Sequence, residues 1–238
     1  MISAMFKDLA PHANHARRFS WRADALVSVI SLFLLLAWDF SGGDMQMAQW
    51  WGQSNGFALR DDPWMVKVMH EGARTAGWLF LLALLVGIWR PWAILRHLAI
   101  ADRVTLCVSV LSALLAITLI KGLSKTSCPW DLAMFGGVAT YVSHWNVFQL
   151  DGGGGHCFPA GHASTGFAFM AAYFSLRQSG SRGARMWLSC ALLAGTVLGV
   201  SQQMRGAHFM SHTLWTAWLC WSVGWLSTAL LNRLRGKS

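Results

Sequence analysis

Lys121, Lys125, His162, Arg205, His208 and His212 stand at or near the ends of apolar runs. Ionisable groups at membrane depth are costly to bury and mark functional sites by default. A lone histidine in such a place usually caps a helix or bonds a carbonyl. Basic side chains and two histidines gathered on one face suit phosphate chemistry instead. One imidazole can attack phosphorus while another protonates the leaving oxygen, and cationic groups stabilise the charge on the equatorial oxygens. Two local patterns sharpen this reading. Gln202, Arg205, His208 and His212 are three, three and four residues apart, the spacing of one helical face. Gly206 among them leaves room for another backbone to come close. The run Phe158-Pro159-Ala160-Gly161-His162 reads as a helix start, with proline in the first turn. Free N–H groups there would form an anion site beside His162.

The elements that position these residues follow from hydropathy. Of 238 residues, 55% are hydrophobic and 12% charged, about half the charged share of a soluble domain. The 15 Trp and 13 Phe exclude a disordered chain. The length fits one domain, 1–238. A membrane helix needs about 20 mostly apolar residues. Six runs serve: 25–43, 75–89 (rather short), 104–120, about 160–176, 186–204 and 213–231. The expected fold is therefore an all-α integral membrane protein with six transmembrane helices. The first run has the basic flank Arg17, Arg18 and Arg22 but no small-x-small cleavage site after it, and reads as a retained helix. With the N-terminus inside, thirteen Lys and Arg fall on inner segments and six on outer ones. That asymmetry sets both termini on the cytoplasmic side. The net charge of +9 is then a topology signal, and no nucleic-acid partner is implied.

Two outer loops carry most of the remaining interest. Residues 44–74, with Trp50, Trp51 and Trp64, suggest short helices on the membrane surface. Residues 121–159 are glycine-rich and hold Lys121, Lys125, Cys128, Asp131, His144, Asp151, His156 and Cys157. His144 and His156 are placed to touch a substrate head group. Cys128 and Cys157 are the outer cysteines; they either pair in an oxidising compartment or stay as free thiols. Cys107, Cys190 and Cys220 fall inside spans as apolar filler.

In these residues the chain resembles the type 2 phosphatidic acid phosphatase (PAP2) superfamily. The family pattern is Lys, six residues, Arg-Pro; then Pro-Ser-Gly-His; then Ser-Arg, five residues, His, three residues, Asp. Here Lys121 is followed by six residues and Cys128-Pro129. Next comes Pro159-Ala160-Gly161-His162, and then Ser201-Gln202, five residues, His208, three residues and His212. Cys128 and Gln202 replace the two arginines, Ala160 the serine and His212 the aspartate. The resemblance implies a six-helix bundle in a bacterial inner membrane, multi-pass, with its active site facing the periplasm and no metal or cofactor. It implies that His208 is the nucleophile that forms phospho-histidine, that His162 is the general acid, and that Lys121 binds phosphate, with Gly161 and Gln202 beside it. Arg205, one turn from Gln202, could supply the lost guanidinium, and Lys125 a further charge. His212 could accept a hydrogen bond from His208 but brings no negative charge, which leaves Asp131, Asp151 or Asp39 to help.

Three functions stay open on the sequence. One is a metal-independent phosphatase acting on a lipid phosphate or diphosphate of the lipid A, undecaprenyl diphosphate, phosphatidylglycerol phosphate or phosphatidic acid type. Another is a phosphotransferase of the same fold that passes the phosphate to a second lipid. The third is a metal- or haem-binding membrane protein, with His208 and His212 as ligands and His162 or Cys157 as the next. The expected partners are a phosphorylated lipid and the surrounding membrane lipids, with no obligate protein partner.

Overall fold

The computed structural model describes residues 21–236. Lys7, His12, His15, Arg17, Arg18 and Lys237, all assigned to the inner side, lie outside the described residues. Helix α1 spans Trp21–Asp39 and α2 spans Gly43–Ala48. A short antiparallel hairpin follows, β1 (Gly52–Gln53) against β2 (Gly56–Phe57). A π-helical stretch, Met65–Gly72, runs directly into α3, Ala73–Val86. The rest is α4 (Ile100–Leu123), α5 (Ser164–Phe167), α6 (Ala171–Gln178), α7 (Ala184–Met204) and α8 (Met210–Arg235).

Among the described residues three helices are long and apolar enough to cross a membrane: α4, α7 and α8. Helix α1 has 19 residues and carries Arg22, Asp24 and Asp39, while α3 has only 14. The fourth expected span is a contiguous helical run from α5 through a 3₁₀ turn at Ala168–Met170 into α6, with right-handed helical dihedrals at the junctions. Nearly every residue of it is buried, so it fills the inside of the bundle and is not a wall facing lipid. Gly166 of α5 lies against the backbone of α7, where a Cβ would come within 2.2 Å of the Gly195 nitrogen.

Helices α4 and α8 run antiparallel. Arg235 at the end of α8 lies 2.9 Å from Asp102 at the start of α4, and the Ser109 and Thr228 hydroxyls meet at 3.1 Å midway along. Arg177 of α6 pairs with Asp24 of α1 at 2.5 Å. These ion pairs gather at the end of the bundle opposite Lys121 and His208. The apolar core runs from Leu106, Val110, Ala113 and Ile117 of α4 to Phe167, Met170 and Cys220. A second small core, with Phe57, Leu132, Phe135 and Phe209, sits under the outer loops. The loops over the site are therefore packed on their own apolar floor.

Two local elements differ from what the spacing predicts. The 202–212 stripe is not one helix. Helix α7 stops at Met204, Gly206 takes φ 76°, and the Gly206 and Ala207 N–H groups bond the Gln203 and Gln202 carbonyls, each at 2.8 Å. This is a Schellman ending, which needs a left-handed residue that glycine supplies. Another backbone does come close to Gly206, since the Trp130 N–H donates to its carbonyl at 2.9 Å, and the Phe57 ring would lie 2.4 Å from a Cβ placed there. Likewise the helix after Pro159 begins only at Ser164. The Ala160 N–H donates to the His212 carbonyl at 3.2 Å, and the Thr216 hydroxyl donates to the Ala160 carbonyl at 3.1 Å. Those tertiary bonds take the backbone groups that an earlier helix start would use. The helix start therefore lies at Ser164, two residues beyond His162.

Candidate active site

The end of α4, the 156–163 turn, the α7–α8 turn and the π-helical stretch converge at one end of the bundle. His208 is buried in the α7–α8 turn. Its Nδ1 lies 3.5 Å from Cys157 Sγ, and the Cys157 backbone faces its ring. A disulfide joins Cys157 to Cys128 and so ties the start of the 121–159 loop to the approach of His162. His212, in the first turn of α8, has its ring 5.8 Å from that of His208. Lys121 donates from Nζ to the His156 carbonyl at 2.6 Å. Its stem runs past Gly161, where a Cβ would come within 3.3 Å of Lys121 Cδ. Glycine at 161 is thus what lets the lysine lie against this turn. The Lys121 charge acts on both His208 and His212.

His162 Nε2 is 2.7 Å from the Met69 carbonyl. A carbonyl only accepts, so Nε2 carries the hydrogen and Nδ1 is the basic nitrogen of the neutral ring. The His70 ring stacks on His162 at 4.5 Å. Arg205 is buried; it donates from Nε to the Arg60 carbonyl at 2.9 Å and from Nη1 to Gln202 Oε1 at 3.1 Å. Both acceptors are neutral, which leaves the guanidinium charge available to an anion. Burial lowers the Arg205 pKa, with Asp61 opposing and Arg60 adding to the fall.

Electrostatics keep the imidazoles neutral. Burial pushes His162 down to about 4; the Met69 carbonyl opposes this, and His70, Arg205 and Arg74 add to it. Burial also lowers His70, with Arg205 and Arg74 assisting. Burial and then Lys121 hold His208 well below its ordinary value. A neutral His208 has the lone pair an attack on phosphorus requires. A neutral His162 must gain a proton to act as acid, and the negative charge of a bound phosphate favours that gain.

The fold thus brings together Lys121, Gly161, His162, Gln202, Arg205, His208 and His212. Lys125 is exposed, and its side chain makes no hydrogen bond or ion pair among the described residues. His156 is exposed, with Nδ1 3.2 Å from the Lys121 carbonyl. His144 does not face outward: its side chain is 8% exposed and stacks on Phe158 at 4.2 Å. His70 and Arg74 join the site from the stretch read as a surface helix. Nothing in the spacing of that polar run pointed to them: His70 is placed by its stacking on His162, and Arg74 by the charge it sets near both rings. Of the three candidate carboxylates, Asp131 accepts from the Cys128 N–H at 3.3 Å. Asp151 accepts from the Ser127 N–H and hydroxyl at 2.6 and 2.8 Å. Both hold loops in shape, whereas Asp39 lies 3.3 Å from His144 Nε2.

The sulfurs of Cys128 and Cys157 and a His208 nitrogen lie within 4.8 Å of one another. Sulfurs joined in a disulfide are not thiolates, so this group lacks the donors of a metal centre. A cleft of about 410 Å³ lies beyond Arg205, lined by Arg60, Asp61, Trp130 and Asp131 among others; no histidine of the cluster lines it.

Compared with known families, the sequence matches the model described as the PAP2 superfamily over residues 102–235, more than half of the chain. Comparisons with curated proteins and with solved structures gave no match.

Proposed function

The chain belongs to the PAP2 superfamily, and on that premise we propose that it is a membrane phosphatase that removes phosphate from a lipid phosphate or diphosphate through a phospho-histidine on His208. Members of the superfamily are phosphatases acting on phosphorylated substrates. The observation that carries the reading is the convergence of His208, His162, Lys121 and Arg205 at one end of a bundle whose long helices are apolar. Neutral His208 attacks phosphorus, and an N–P bond forms as the bond to the leaving oxygen breaks. His162, protonated at Nδ1 once the phosphate is bound, gives that proton to the leaving oxygen. Lys121 and Arg205 stabilise the transferring group. Water then attacks the phospho-histidine, His162 takes its proton back, and phosphate leaves.

The apolar bundle supports a substrate with an acyl or prenyl tail held in a bilayer. Exposed Phe33 and Leu34 on α1 and Trp78 and Leu79 on α3 support lipid contact for these two helices as well. The site would then open on the periplasmic side of a bacterial inner membrane. The test is phosphate release from a panel of lipid phosphates and diphosphates by detergent-purified protein. Release that survives a chelator and falls by about 10³-fold or more in His208→Ala is expected. Release abolished by the chelator alone would overturn the metal-independent mechanism.

A further inference from the structure

The third motif ends in His212, so the carboxylate that would face the nucleophilic histidine is missing from its usual place. Asp39, at the end of α1, lies 3.3 Å from His144 Nε2. Its Oδ2 also accepts from the Trp145 and Trp215 indoles at 3.1 and 2.9 Å. The His144 ring meets that of His212 edge to face at 6.0 Å, and the His212 ring meets that of His208 at 5.8 Å. Asp39, His144, His212 and His208 thus follow one another from α1 to the proposed nucleophile, the imidazoles meeting by ring contact, with Phe158 packed against both His144 and His212. Two further buried polar atoms along this line, Asp39 Oδ1 and His212 Nδ1, have no hydrogen-bond partner among the described residues. Buried polar atoms left unpaired are rare and ask for an explanation.

We propose that Asp39 is the positioning carboxylate of this site, acting on His208 through His144 and His212 in place of the aspartate absent from position 212. The proposal rests on the phosphatase reading above. As the N–P bond forms, positive charge develops on the His208 ring. Asp39, which stays ionised, stabilises that charge through space across His144 and His212, and the charge itself stays on the His208 ring. No proton is lost from the line, and the leaving oxygen takes its proton from His162. At these ring spacings, in a buried setting, a charge on one imidazole is felt by the next. The other charged and titratable groups facing the line are Asp44 and Tyr141 near His144, and Lys121, His162 and His70 near His208. Asp44 is taken up by the Ser211 N–H and hydroxyl and by the Trp38 indole. Of the two acids, Asp39 is the one in contact with an imidazole.

The test compares Asp39→Asn, Asp39→Glu, His144→Gln and the double variant Asp39→Asn/His212→Asp with the parent. Asparagine retains an oxygen for the two indoles while removing the charge. Asp39→Asn is expected to lower kcat by about 10- to 100-fold with KM within about two-fold. The acidic limb of kcat/KM should move to lower pH, because a carboxylate that favours protonated imidazoles has gone. Asp39→Glu should recover part of the loss, and His212→Asp should rescue Asp39→Asn by returning a carboxylate to the motif position. His144→Gln, which leaves the indole bonds intact, should reproduce the kcat loss. An unchanged pH profile in Asp39→Asn, or a loss that His212→Asp does not relieve, would overturn the proposal. Titration of labelled imidazole resonances provides a readout without turnover: Asp39→Asn should move the His144 titration to lower pH. Should the parent release no phosphate from any substrate, the phosphatase reading falls, and an unmoved titration separately overturns the coupling.

Discussion

Burial keeps a histidine in this bundle neutral, which frees the lone pair the proposed nucleophile needs. The same burial leaves His162 short of the proton that the proposed general acid would deliver, and a bound phosphate would favour its return. His162→Ala should therefore hurt a lipid phosphate far more than an aryl phosphate whose leaving group needs no proton. The expected losses are about 10²- to 10⁴-fold for the former and under about 10-fold for the latter, read as initial rates on the two substrates. Equal losses on both would remove the general-acid role. At this scale much of the site was legible in the sequence. Lys121, His162, Arg205 and His208 stand at run ends where a charge has no bland reason to be. His70 and Arg74 were not legible, since a stacked imidazole partner is a tertiary fact with no spacing of its own.

Spacings of three and four residues describe a helical face, and equally a chain that leaves one helix and enters the next. Gly206 decides between them, because its φ of 76° ends α7 and turns the chain so that Arg205 and His208 approach from either side. Gly206→Ala should destabilise the protein by about 2–4 kcal/mol, since alanine is strained at this φ and its Cβ would strike the Phe57 ring. Activity should fall with it, and a thermal melt and a phosphate-release assay on the same sample would show both. The Cys128–Cys157 bridge works on the neighbouring loop, with a sequence separation of 29 residues. Reduction should cost about 3–4 kcal/mol of stability by the loop-entropy estimate. A mass measured with and without alkylation after denaturation should find three free thiols before reduction and five after it. The burial of the fourth span was not legible from hydropathy, because a buried interior helix and a lipid-facing one are equally apolar.

For the whole molecule, the charged ends of the bundle are unlike. The Asp24–Arg177 and Asp102–Arg235 pairs mark one end, and the neutral imidazoles mark the other. That polarity makes stability depend on pH in a direction that follows from the histidines. An unfolded histidine titrates near 6.5, whereas folded His162 is held at about 4 by burial. Above pH 6.5 both forms are neutral and the protein has its full stability. Between 6.5 and 4 the unfolded chain binds more protons than the folded one, so stability falls as pH falls. His70 and His208 act in the same direction. The melting temperature in detergent should therefore drop between pH 7.5 and 5, by about 2–4 °C for each kcal/mol lost. His162→Gln should flatten that slope. Phosphate or vanadate should oppose the drop, because an anion beside Lys121 and Arg205 raises the imidazole pKa values and is taken up together with a proton. The stabilisation conferred by vanadate should accordingly be larger at pH 5.5 than at pH 7.5. A ligand effect that shrinks on acidification would show that the anion binds somewhere other than beside these histidines.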